Sequence, residues 1–163
     1  MQKTFARLLA TGVAATSLTG LGALTLAAPA NATDSKCATS TKEFPTTGFN
    51  ADVKVQLCLH RNWSGPGGSN ETKWATAVVS WGESGSGKWE NFDVQVRIEQ
   101  NDGVVKSKTC DVTNIGNTSG SYTCKLGPYT NISGNTADGK VVYNINDDGK
   151  GNQTWDLAGT PKL

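Results

Sequence analysis

Residues 52 to 61 alternate without a fault: Val53, Val55, Leu57 and Leu59 fall on one side, and Lys54, Gln56, Cys58 and His60 on the other. A period of two is the signature of a strand with one buried face, and it excludes an amphipathic helix over the same residues. The pattern returns downstream, where Phe92, Val94, Val96 and Ile98 alternate with Asp93, Gln95, Arg97 and Glu99. Trp74 to Trp81 is mostly β-branched or small, again suited to a strand. Val104 to Val112 alternates less clearly and carries Lys106 and Lys108, as an edge strand does to discourage edge-to-edge pairing. Tyr122, Cys124 and Leu126 mark a fifth strand, Val141, Tyr143 and Ile145 a sixth, and Trp155 with Leu157 the last. Gly, Ser, Asn and Asp cluster between these runs. Asn101-Asp102-Gly103 reads as a tight hairpin turn, since those residue types tolerate positive φ. Seven short strands with polar turns predict an all-β fold, a single antiparallel β-sandwich spanning residues 52–163.

The start of the chain has a different texture. Lys3 and Arg7 precede a stretch of apolar and small residues that ends in Ala30-Asn31-Ala32, the small-x-small pattern of a signal-peptidase site. Residues 1–32 therefore read as a signal peptide, and the mature protein as secreted and extracellular. No later run of about twenty apolar residues follows, so no membrane association is expected once the signal is removed. Thirty-two of 163 residues gone leaves 131, enough for one domain. The mature chain carries 13 basic and 14 acidic residues, because Lys3 and Arg7 are the only charges in the leader. That balance offers neither the clustered cations of a nucleic-acid interface nor a polybasic membrane surface.

An oxidising destination makes Cys37, Cys58, Cys110 and Cys124 disulfide candidates. Three pairings are open; Cys37–Cys58 and Cys110–Cys124 close the smaller loops and are favoured. A metal centre is disfavoured, since no C-x-x-C spacing occurs and there is one histidine. No cofactor is expected. A nucleophile-histidine-acid arrangement would have to pass through His60, and no Gly-x-Ser-x-Gly elbow accompanies it. Glu83, Glu90, Asp93 and Glu99 could in principle form a glycosidase pair, but Asp93 and Glu99 lie on a strand face where solvated residues belong anyway. Asn144-x-Asn146-x-Asp148-Gly149 echoes a calcium loop, yet the twelfth position is Trp155 instead of a bidentate Glu, and a hairpin turn fits better. No catalytic residue is assigned, and the chain reads as a non-enzyme.

Five tryptophans are many for one small core. Trp74, Trp81 and Trp155 sit at strand ends and suit core plugs. Trp63 and Trp89 lie in or beside loops poor in other apolar groups, where an aromatic can anchor an interface or stack on a sugar. Beyond the leader, five Asn-x-Ser/Thr sequons, at Asn62, Asn70, Asn117, Asn131 and Asn152, mark solvent-facing loops.

Residues 33–51 form a Thr/Ser-rich arm that holds Cys37, with Phe44 and Phe49 as apolar anchors. The Ala-rich leader, this arm and the body ending in Gln153-Thr154-Trp155-Asp156-Leu157-Ala158-Gly159-Thr160-Pro161 together resemble the small secreted proteins of filamentous Gram-positive bacteria. In size and layout the chain is similar to the small adaptor subunits of secreted, umbrella-shaped antibacterial toxin particles. The resemblance implies a β-sandwich body carrying a lectin-like subunit, and an extended arm docked into a larger repeat-bearing subunit. The leading expectation is thus a protein–protein adaptor that binds a secreted protein partner through Phe44 and Phe49 on the arm and Trp63 and Trp89 on the body. Two alternatives stand beside it. One is a carbohydrate-binding module stacking sugars on Trp63 and Trp89. The other is a secreted protease inhibitor presenting Lys125 beside the Cys110–Cys124 loop.

Overall fold

The computed structural model describes residues 33–46, 50–65, 69–82, 88–115 and 118–163. Eight strands form two four-stranded antiparallel sheets: β1 (Thr33–Phe44), β2 (Ala51–Ser64), β3 (Asn70–Trp81), β4 (Trp89–Gln100), β5 (Gly103–Asp111), β6 (Gly120–Thr130), β7 (Thr136–Ile145) and β8 (Gln153–Asp156). The first sheet has the order β1-β2-β3-β6 and the second β5-β4-β7-β8. All-β architecture, two antiparallel sheets and two disulfides agree with the alternation in the sequence. The strand count is eight because the arm is itself a strand. Residues 33–44 pair with β2 along their whole length, from Thr33 opposite Asn62 to Phe44 opposite Ala51.

The inner rows of the two sheets build one core. Val53, Val55, Leu57 and Leu59 from β2 and Ala75, Ala77 and Val79 from β3 face Phe92, Val94, Val96 and Ile98 from β4 and Val141 and Tyr143 from β7. Small alanines on β3 make room for the larger side chains opposite. Asn101 and Asp102 both take positive φ (51° and 62°), the backbone that a two-residue β4–β5 turn demands.

One disulfide staples the sheets and the other lies within a sheet. Cys110 on β5 and Cys124 on β6 join an edge strand of the second sheet to an edge strand of the first. Cys37 and Cys58 face each other across the β1–β2 ladder, on the outer side of the first sheet, with Cα atoms 4.1 Å apart. That short spacing marks a non-hydrogen-bonded pair. Ser35, Cys37, Thr39 and Thr41 therefore point their backbone N–H and C=O groups away from β2, toward the free edge.

Gly139 on β7 allows the sheet to close around it. A Cβ there would sit within contact distance of the Gln95 carbonyl oxygen and 3.4 Å from Leu157 Cδ1. Gly139→Ala is expected to cost about 1–3 kcal/mol through overpacking, read as a lowered urea midpoint.

Candidate binding surface

Phe44 and Trp89 belong to the core, and both expectations of an exposed anchor are corrected here. Phe44 is 1% exposed and meets Trp89 and Tyr143 edge-on, with ring centroids at 5.0 and 4.8 Å. Trp89 is 4% exposed and packs edge-on against Phe92 at 4.8 Å. The physical reason is parity: both residues point inward where the strands enter the sandwich, and edge-to-face aromatic packing fills that end of it. Phe44 thus ties the arm to its own body. Phe49 lies outside the described residues, as do the leader and Glu83.

Trp63 is exposed, at 37%, near the end of β2. Arg61 covers one face of its indole, 5.2 Å from the ring centroid. Arg61 also pairs with Asp34 at 2.9 Å, and Glu71 lies between Arg61 (3.9 Å) and Lys73 (3.1 Å). Lys73 in turn donates to the Ile132 carbonyl. Two cations and two carboxylates from three strands therefore fix the support under Trp63 without a local net charge.

His60 sits on the outer face of the first sheet. Its Nδ1 is 2.7 Å from Ser35 Oγ and its Nε2 is 3.0 Å from Thr76 Oγ1, so it links β1 to β3 across β2. The ring stacks on Trp74 at 5.0 Å, and Lys125 approaches the same indole. Burial, with the Lys125 charge second, holds the imidazole below its ordinary pKa. The unfolded chain takes up this proton near pH 6.5, while the native protein resists it. This contribution to stability is complete above that pH and is lost as the pH falls below it. His60→Gln should flatten the decline in urea midpoint between about pH 7.5 and about pH 5.5. An equal decline in both proteins would contradict this.

The other candidates are dispersed. Glu99 pairs with Arg97 at 2.9 Å, and burial pushes its carboxyl above the usual range. Glu90 accepts from Asn144 Nδ2. Asp147 (φ 62°) and Gly149 (φ 66°) belong to the turn after β7, where Asp148 accepts from the Lys150 N–H. Among the described residues no three His, Cys, Asp or Glu side chains group as a metal site would require. Lys125 lies within β6, over Trp74, instead of at the tip of a protruding loop. A shallow cleft of about 480 Å³ opens where β1, β2 and β3 end, lined by Glu43, Asp52, Lys54 and Trp81 among others.

An extended surface feature among the described residues is the edge of β1, which the sequence reading placed in the N-terminal arm. Of the four sheet edges, those of β5 and β6 are tied to each other and that of β8 is four residues long. β5 and β6 are bridged by Cys110–Cys124, and Lys108 donates to the Lys125 carbonyl. Beyond β8 the C-terminal residues line β7: Leu157 N–H donates to Gly139, Thr160 to Ala137 and Leu163 to Asn135. β1 runs for 12 residues free of Pro, Gly or register shift, with Phe44 its only buried residue.

The sequence also gave no sign of the box around Lys42. The Lys42 ammonium donates to Tyr143 Oη at 2.8 Å and lies over the rings of Phe44 and Tyr143, 5.1 and 4.8 Å from their centroids. Only a strand register could bring these residues together. In comparisons with known proteins, the chain matches no family model, no curated protein and no solved structure.

Proposed function

We propose that this is a secreted, non-enzymatic binding protein that acts as a protein–protein adaptor in an extracellular assembly, an antibacterial toxin particle being the setting its layout suggests. The carrying observation is β1, a long exposed edge fixed to a cross-braced body. Such an edge accepts an extended segment of a partner, with backbone hydrogen bonds supplying affinity and alternate side chains supplying fit. The ordering cost is already met on the adaptor's side, because β1 is held before the partner arrives. Lys36, exposed on the inward-parity row, selects an acidic residue on the incoming strand and discourages an apolar one. Trp63 adds an aromatic anchor on a rigid support. The two disulfides accord with the oxidising compartment that the leader implies.

The test is the state of the protein in the medium of the cells that make it. Size-exclusion chromatography with light scattering should show it within a larger complex, in fixed ratio to a second secreted protein. Elution as a free monomer at native concentration would count against an adaptor.

Trp63 favours a second reading, a carbohydrate-binding module. The indole is exposed beside polar groups with balanced charge, a composition suited to stacking on a neutral sugar. Retention on insoluble cellulose, chitin or cell wall that is lost in Trp63→Ala would support it. Absence of retention would remove it.

A further inference from the structure

We propose that the Cys37–Cys58 disulfide is a redox-operated clasp on β1: a dithiol reductant opens it ahead of Cys110–Cys124 and frees residues 33–41 from the sheet while the remaining sandwich stays folded. The inference rests on burial and strand placement, and it stands whether or not the adaptor reading holds.

The two bridges differ in access. Cys37 is exposed on the outer face of the first sheet although its partner Cys58 is 6% exposed, whereas both residues of the other bridge are buried, Cys110 at 6% and Cys124 at 0%. Thiol–disulfide exchange requires a thiolate to reach a sulfur, so the outer bridge reacts first. The reductant thiolate attacks Cys37 Sγ, forming a mixed disulfide and expelling Cys58 as a thiolate, which takes up a proton. The second thiol of the reductant then attacks the mixed disulfide. Cys37 leaves as a thiol, and the two electrons taken up by the protein leave the reductant as a disulfide.

Without the bridge, little else fastens this end of β1. The inward-parity residues Lys36, Ala38 and Ser40 are exposed or half-buried. The remaining side-chain ties are the Arg61–Asp34 pair, whose carboxylate side is largely exposed, and the Ser35–His60 hydrogen bond. Ser40 also accepts from Ala158 N–H. Backbone hydrogen bonds to β2 are offset by the entropy of ordering the residues that make them. The other end is different: Phe44 is in the core and Lys42 is held by Tyr143. Release should therefore stop near Lys42 and uncover the edge of β2.

The test is graded dithiothreitol without denaturant, followed by iodoacetamide, peptide mass spectrometry and hydrogen exchange on the same samples. Cys37 and Cys58 should label at least about tenfold faster than Cys110 and Cys124. Amides of Asp34, Lys36, Ala38 and Ser40, which face β2, should lose protection while those of β4 and β7 keep it. Simultaneous labelling of all four cysteines would overturn the proposal, as would opening of Cys37–Cys58 with those four amides still protected. Cys37→Ser/Cys58→Ser provides the same reading without reductant: the amides of Asp34, Lys36, Ala38 and Ser40 unprotected in a cooperatively melting protein support the clasp, and unchanged protection refutes it.

Discussion

Phe44→Ala should be among the most damaging single substitutions in this protein, lowering stability by about 3–5 kcal/mol. The side chain is almost wholly buried and its ring meets Trp89, Phe92, Tyr143 and Trp155, all edge-on, with centroids between 4.8 and 5.9 Å. Truncation opens a cavity among rigid aromatics that cannot collapse into it, and the transfer and cavity costs add. It also removes a ring beneath Lys42, loosening the box in which that ammonium reaches Tyr143 and Trp155 on the other sheet. For a domain of this size the melting temperature should fall by about 10–20 °C. A docking role for Phe44 predicts the opposite pattern, an unchanged melting curve with binding lost. Thermal unfolding followed by circular dichroism separates the two.

The second large effect is expected from the inter-sheet staple. Cys110→Ala/Cys124→Ala should lower stability by about 3 kcal/mol, the loop-closure entropy for a loop of roughly fifteen residues. The bridge joins strands that lie at the edges of different sheets, so no shared hydrogen-bond ladder restrains them once it is gone. Two buried sulfurs also leave the core, which adds to the loss. Urea midpoints of the oxidised protein and the double variant, at equal m-value, measure it. A difference below about 1 kcal/mol would show that the sheets are held by their core alone.

How far the sequence predicts this fold depends on which face of each strand is buried. β2 and β4 have one face in the core and the other turned outward, so their alternation is regular and their buried faces were evident. β1 has no such signal. It is an edge strand with one buried residue, and its Thr, Ser and Lys side chains resemble a linker. Only Cys37 hinted otherwise, because a bridge to the middle of β2 would lay the arm beside it. Trp89 was misjudged because a tryptophan following a Gly/Ser loop looks exposed, whereas it opens β4 with inward parity. Trp63 was read from the same loop-flanking position and is exposed, because β2 runs past the end of the core there. The Asp34, Arg61, Glu71 and Lys73 network depends on two registers at once, and local sequence carries none of that information.

The adaptor reading turns on whether the free edge of β1 pairs with another protein. Thr39 directs its backbone N–H to that edge, so Thr39→Pro removes an outward donor and leaves the ladder with β2 intact. The measurement is affinity capture from the native culture medium with wild-type and Thr39→Pro baits of matched melting temperature, quantified by mass spectrometry. One extracellular protein held in fixed ratio by the wild type and lost with Thr39→Pro is the predicted result. Equal recovery of the same protein on both baits would contradict it.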